Sequence, residues 1–336
     1  MNPKLLSFIK YSILAAIAIA LLVFAFRGIN VNKVIHEMLQ ANMFWVGLSG
    51  LFTVIAFYIR ALRWKLLIES TGHSPKLKKT FYSLMVGYFA NLAFPRLGEV
   101  SRCVSLSKAE PIPFSSLLGT VIVERAVDAI SLLVCLLLAA VIEYKRLGNF
   151  LTDNIIQPVI GKGRQLMASP LFIIASIVLL AGLAILIFYF IRRSKQTGKG
   201  SKFVRLMKDL VIGLRSIAKL KRPWLFVFHS IFIWVLYYLG VYVCLFAFPS
   251  TSHLGLSAAL FLLVAGALGM SAPVQGGIGA YHLLVSQGLI LYGLSLQDGL
   301  IFATLLHTIQ LLLVVLLGSA SLFLLFPGNK KRMSDS

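Results

Sequence analysis

Apolar residues run along this chain in long blocks separated by short basic segments. A helix needs about 20 apolar residues to cross ~30 Å of hydrocarbon. Blocks of that order lie at roughly 8–26, 43–59, 117–142, 171–191, 223–248 and 299–326, which predicts about six full transmembrane helices. Two further apolar stretches are interrupted. Phe81 to Phe94 is short for a span and stops at Phe94-Pro95-Arg96-Leu97-Gly98-Glu99. Leu254 to Ala272 runs into Pro273-Val274-Gln275-Gly276-Gly277-Ile278-Gly279 before resuming toward Leu294. A helix breaker amid apolar sequence predicts a broken helix pair in each place, 80–113 and 254–296. The first block follows Lys4 and Lys10 as a signal peptide would, but no convincing small-residue cleavage site precedes Arg27, so it reads as an uncleaved span.

Composition sets the class. The 336 residues are 59% hydrophobic and 13% charged, with a mean hydropathy of +0.89, values that no water-soluble domain of this size carries. The expected fold is an all-α polytopic membrane protein with no soluble domain. Three cysteines, Cys103, Cys135 and Cys244, are too scattered for a disulfide framework or a metal site. No metal or cofactor is expected.

The net charge of +21 could suggest nucleic acid, but the 32 Lys and Arg residues lie almost wholly between apolar runs, where they orient helices. The expected partners are therefore membrane lipids, not nucleic acid. If 81–94 crosses fully, Lys and Arg divide about 19 to 12 between the two faces, leaving out Arg125. If 80–113 enters and leaves on one side, the segments 1–10, 60–79, 96–116, 192–222 and 330–332 hold 25 against 6. The positive-inside rule favours the second arrangement, which makes 80–113 re-entrant and both termini cytoplasmic. Irregular backbone at membrane depth must be shielded by protein or line a wet cavity. For 254–296 a re-entrant pair and two full crossings leave the C-terminus on the same side.

Each half then reads as two spans, a broken pair and a final span. The first membrane repeat is 1–150, followed by an external loop at 151–170. The second repeat is 171–329, and a cytoplasmic tail occupies 330–336. Three crossings invert the second half relative to the first, a recurrent transporter plan. Within 202–222, Phe203, Leu206, Met207, Leu210, Leu214 and Ile217 recur at helical spacing among basic residues. That pattern predicts an interfacial helix, serving as a topology-setting basic linker or docking on anionic headgroups.

Glu124-Arg125-Ala126-Val127-Asp128 lies about two turns into an apolar span. Each ionised side chain there costs roughly 2.5–3.5 kcal/mol. Glu124 and Asp128 share a helix face, and Arg125 is placed to pair with Asp128. The cluster is either a self-neutralising packing device or a polar lining for a headgroup. Past Pro95, Glu99 and Arg102 are spaced for an intrahelical ion pair beside Gly98. Arg96 and Arg102 offer a phosphate site near a helix N-terminus, the alternative being a solvated loop. Gln275, Gly276, Gly277 and Gly279 suit a second break opposite the first, or close helix packing. Thr304, His307, Thr308 and Gln310 form a polar patch in the last span about as deep as Glu124 lies in its own. No nucleophile elbow, zinc spacing or phosphate-binding lysine motif is present, so an enzyme is not expected.

The succession of Pro95, Gly98, Glu99 and Arg102, then Glu124, Arg125 and Asp128, then the Gly276–Gly279 turn resembles the transmembrane region of the lysylphosphatidylglycerol synthase and flippase family. The resemblance covers nearly the whole chain. It implies a flippase-like protein of a bacterial inner or plasma membrane that moves a phospholipid or polyprenyl-linked lipid between leaflets, the broken regions bounding a headgroup cavity. Lysyl transfer in bifunctional relatives resides in a soluble C-terminal domain, and this chain ends at Ser336, so that activity is not expected. Where the family often has Glu three residues after the turn, this chain has His282, which alters the expected charge preference. A membrane enzyme acting on lipid-linked substrates and a non-transporting scaffold are the competing readings. The topology is testable: with the native cysteines removed, Lys108→Cys should react with an impermeant maleimide only from inside, and Lys145→Cys only from outside.

Overall fold

A computed structural model describes residues 36–151 and 220–326. The spans expected at 8–26 and 171–191, nearly all of the basic helix 202–222 and the tail lie outside the described residues. Every regular element described is helical: α1 (Met43–Glu69), α2 (Leu77–Ala93), α3 (Leu97–Ala109), α4 (Phe114–Ile142), α5 (Tyr144–Leu151), α6 (Pro223–Leu245), α7 (Leu256–Ser271), a 3₁₀ turn (Gln275–Gly277), α8 (Ala280–Ile290) and α9 (Leu296–Leu325). The chain divides into two compact units, Met1–Ile142 with Ser216–Ser336, and Glu143–Arg215. In the second, α5 carries an Arg146–Glu143 ion pair at 2.8 Å. The first holds everything below.

Among the described residues, α1, α4, α6 and α9 are long and apolar enough to cross a membrane. These four coincide with predicted blocks, with one consequential difference. The block expected to end at residue 59 continues as helix to Glu69. No breaker occurs before Gly72, and Ala61, Leu62, Leu66, Leu67 and Ile68 prolong the apolar pattern around Arg60 and Arg63. Arg60 and Arg63, expected in a cytoplasmic segment, are instead buried side chains within this helix. The start of α1 is fixed by Asn42, whose Oδ1 accepts from the Phe44 N–H at 3.1 Å.

The first broken pair has a compact cause. Pro95 forces Phe94 into extended backbone (φ −140°, ψ 125°), and Arg96 turns the chain through a left-handed conformation (φ 62°). Three residues thus separate α2 from α3, and Gly98 and Glu99 belong to the first turn of α3 rather than to the break. The two helices pack side by side because Gly87 meets Gly98. A Cβ on Gly87 would lie 2.7 Å from the Gly98 carbonyl oxygen and 2.9 Å from Arg102 Cβ.

In the second pair, α7 stops before Pro273, and the turn uses positive φ at Gly276 (56°), Gly277 (75°) and Gly279 (83°) before α8 begins. The helix α9 is capped by Ser295, whose Oγ accepts from the Asp298 N–H at 3.1 Å. It packs against α8, α2 and α1. The second turn adjoins α2: a Cβ on Gly276 would lie 3.5 Å from Leu92 Cδ2.

One apolar core gathers α6, α7, α8 and α9 around Leu245, Ala259, Leu289 and Phe302. Another gathers α1, α2, α3 and α4 around Trp64, Leu84, Leu106 and Leu117. The far half of α4 exposes Leu133, Val134, Leu137, Leu138 and Val141, an apolar face suited to hydrocarbon. Gly87→Ala should cost about 1–3 kcal/mol by overpacking α2 on α3. A lowered thermal midpoint in mild detergent would register it, with Gly119→Ala, where the added Cβ meets nothing within 4 Å, unchanged.

Candidate functional site

Three helices bring six charged side chains together in the membrane-embedded interior. α1 is about 40 Å long at 1.5 Å per residue, which puts Arg60 roughly 14 Å from its C-terminal end, while Glu124 sits about 15 Å from the start of α4. The two helices run in opposite directions through the first unit, so these positions meet at one level. Glu124 is fully buried, and both its oxygens are occupied: Oε1 accepts from Arg60 Nη2 at 3.0 Å and Arg125 Nη2 at 3.2 Å, and Oε2 from Arg102 Nη1 at 3.0 Å. Arg63 Nη2 lies 3.4 Å from the same Oε1. Asp128 accepts from Arg63 at 2.7 Å on one oxygen and from Arg60 at 2.5 Å on the other, which Arg125 Nη2 also approaches to 3.0 Å as an ion pair.

Neighbouring groups orient the guanidiniums. Arg60 Nη1 donates to the Tyr237 hydroxyl at 3.2 Å, and Arg63 Nη1 to Ser230 Oγ at 3.3 Å, both acceptors lying on α6. Arg102 stacks 4.7 Å from the centroid of the Trp64 ring, and Trp64 Nε1 donates to Thr120 Oγ1 at 2.9 Å. The cluster therefore ties α1, α3, α4 and α6 together. Four guanidiniums face two carboxylates, a surplus of two positive charges.

The expected Glu99–Arg102 pair does not form. Arg102 turns toward Glu124 on α4, across the packed helix pair, and Glu99 Oε2 is shielded without a hydrogen-bond partner. Nor is the start of α3 a bare set of amides, because the Gly98 N–H donates to Asn91 Oδ1 at 2.6 Å.

Beside the ion cluster lies a cavity of about 570 Å³. Of the residues singled out from sequence, Arg96, Glu99, Arg125, Asp128, Gly276, Gly277 and His307 line it. Gly98, Arg102, Glu124, Gln275, Gly279 and His282 do not. Arg102 and Glu124 stand behind the wall and hold Arg60 and Arg125 in place. His282 Nδ1 accepts from the Gly279 N–H at 3.3 Å, and its ring centroid lies 5.0 Å from that of His307. His307 Nε2 donates to the Gly276 carbonyl at 2.8 Å, fastening α9 to the second turn. Leu262, Leu263, Ala267 and Met270 of α7, Trp234 of α6, and Leu306 and Leu311 of α9 give the lining an apolar part, beside Ser271 and Gln310.

Arg60 and Arg63 are the residues that sequence reasoning missed, and they supply half of the guanidiniums. A usable pattern was present: Ser49, Thr53, Arg60 and Arg63 fall on one stripe of α1, interleaved with Ala56, Phe57 and Trp64, and all of them are buried. A polar stripe that continues across an apolar helix marks an interior face.

Fold and site together define a polytopic helical membrane protein whose broken helices and buried ion cluster enclose an amphipathic cavity. The chain belongs to the family described as the lysylphosphatidylglycerol synthase TM region, which it matches over residues 11–318. Over 122 residues it is 31% identical to the UPF0104 membrane protein MJ1595 of Methanocaldococcus jannaschii, a stretch that makes up 35% of this chain and 36% of that relative. The match thus spans about a third of the relative's length. No solved structure matches the chain.

Removing one member of the cluster strands its partners. Glu124→Gln leaves four arginines with one carboxylate and should cost ~3–5 kcal/mol. The combined Glu124→Gln and Arg102→Gln variant should lose less than the sum of the single changes by ~0.5–3 kcal/mol, read from thermal midpoints in detergent.

Proposed function

We propose that this protein moves a phosphate-bearing membrane lipid between leaflets, its headgroup passing through the cavity while the acyl chains stay in hydrocarbon. One observation carries the reading: the buried cluster sets four guanidiniums against two carboxylates, and two of those guanidiniums, Arg60 and Arg125, line a cavity that is otherwise largely apolar. A lipid phosphodiester carries one negative charge and offsets half of that surplus, and guanidiniums held in fixed orientation suit its oxygens. Arg125 is the residue best placed to meet the headgroup. Its side chain is 44% exposed while its partners Glu124 and Asp128 are buried or nearly so.

The re-entrant topology belongs to the same proposal, and the charge bias that supports it survives the correction to α1, though narrowed. Setting aside the buried Arg60, Arg63 and Arg102 leaves 22 Lys and Arg on the cytoplasmic side against 6, compared with 18 against 10 if 81–94 crosses fully. The inverted repeat draws support from a correspondence between the halves. Glu124 is the eleventh residue of α4 and His307 the twelfth of α9. Each fastens its long helix to the broken pair of its own half, Glu124 through Arg102 and His307 through Gly276. The protein acts in this reading as a translocator and not an enzyme, with both termini in the cytoplasm of a bacterial cell.

In proteoliposomes carrying a labelled anionic phospholipid, the wild-type protein should redistribute the lipid between leaflets without altering it chemically. Arg125→Ala should slow that redistribution about tenfold or more, the loss expected for a hydrogen bond to a charged group, while eluting as the wild type does in detergent. Redistribution by Arg125→Ala at the wild-type rate would sink the assignment. New lipid product would favour an enzyme.

A further inference from the structure

The cavity wall holds hydrogen-bond acceptors as well as cations; Ser49 Oγ, Tyr88 Oη, Glu99 Oε2 and His307 Nδ1 on its lining residues have no hydrogen-bond partner, and of these the two hydroxyls can also donate while Glu99 and His307 Nδ1 only accept. Glu99, from the first turn of α3, lines the cavity, and its Oε2 is shielded without a partner. His307, from α9, also lines it and is almost entirely buried. Its Nε2 bonds a carbonyl, which can only accept, so Nε2 carries the ring proton and Nδ1 of the neutral ring presents a lone pair. That Nδ1 is buried with no partner. A buried acceptor left unsatisfied is costly, and here one on α3 and one on α9 belong to residues that line the same space. Asp128, the other carboxylate in the wall, is not bare, because Arg60, Arg63 and Arg125 occupy its two oxygens.

The ligand that completes this site must bring anionic oxygens to the arginines and hydrogen-bond donors to Glu99 and His307. Donors can be hydroxyls or an ammonium, and charge decides between them. Arg60, Arg63, Arg96, Arg102 and Arg125 stand against Glu99, Glu124 and Asp128, a formal surplus of two positive charges around the cavity. An ammonium would cancel the negative charge of its own phosphate and leave that surplus uncompensated. A hydroxyl supplies the donor without adding charge. We infer that the headgroup recognised here is a net-anionic phosphate diester bearing one or more hydroxyl groups, of the polyol or sugar-phosphate class. This rests on the cavity being the headgroup site proposed above, and it adds a chemical class that separates hydroxylated anionic lipids from zwitterionic ones and from anionic lipids without donors.

The test is binding to the purified full chain in detergent, followed by tryptophan fluorescence, since Trp234 lines the cavity. The probes are dioctanoyl phosphatidylglycerol, phosphatidylinositol, phosphatidylmethanol and phosphatidylethanolamine. Phosphatidylmethanol carries the same phosphate diester as the first two but no hydroxyl. The expected result is that phosphatidylglycerol or phosphatidylinositol binds about tenfold or more tightly than phosphatidylmethanol, the tighter of the two telling a glycerol headgroup from a ring polyol. Glu99→Leu should close most of that gap while binding phosphatidylmethanol no more weakly than the wild type, which also reports that the variant is folded. Equal binding of phosphatidylglycerol, phosphatidylinositol and phosphatidylmethanol overturns the hydroxyl assignment and leaves the anion site standing. Tighter binding of phosphatidylethanolamine overturns it in favour of an ammonium, and so does a gap that survives Glu99→Leu. Failure of every anionic probe to bind would remove the headgroup site itself.

Discussion

The pairing of Glu124 and Asp128 with four guanidiniums is the interaction on which the arrangement of this molecule depends. Inside hydrocarbon an unpaired charge is costly and a paired one is costly to separate, so the carboxylates of α4 fix where α1 and α3 can lie. Arg60 and Arg63 set the depth of α1 against α4, and Arg102 sets the rotation of α3. Tyr237 and Ser230, accepting from Arg60 Nη1 and Arg63 Nη1, set the angular position of α6. The apolar residues around the cluster add packing but little specificity of partner, because lipid tails are as apolar as leucine.

That arrangement also accounts for the shape of the cavity. A broken helix pair amid apolar helices needs a wall to shield its bare backbone, and the ion cluster provides one on the side of the first break. On the side of the second break the same role falls to His307, whose bond to Gly276 occupies a carbonyl that the glycine turn would otherwise leave open. The two breaks meet where Leu92 touches Gly276. The cavity lining is charged in part and otherwise largely apolar.

Much of this was legible before any coordinates. Long apolar blocks announced α4, α6 and α9, and the Pro95 and Gly276–Gly279 interruptions announced both broken pairs, because helix breakers act locally and leave their mark in sequence. The i, i+3 pair of Arg125 and Asp128 was legible for the same reason. The partners of Arg102, by contrast, could not be read from spacing. Sequence neighbours pointed to Glu99, three residues away, whereas the close approach of Gly87 to Gly98 turns Arg102 toward a carboxylate 22 positions further on. The two arginines of α1 were misplaced because an apolar block was taken to end at its first charge. In a membrane that rule holds for a charge facing lipid, and it fails for one facing a counter-ion on another helix.

The burial of Arg60 and Arg63 has a consequence for how the chain is made. Synthesis proceeds from the N-terminus, so α1 reaches the bilayer before α4 exists and its arginines arrive with no counter-ion. At about 2.5–3.5 kcal/mol each, they hold the nascent helix in a shallow position, their guanidiniums reaching back to the headgroups along flexible stems. Only when Glu124 and Asp128 emerge some sixty residues later does the deeper seat become favourable. The helix that anchors the finished structure therefore settles only after α4 has followed it, and its final depth is written in a later segment of the chain.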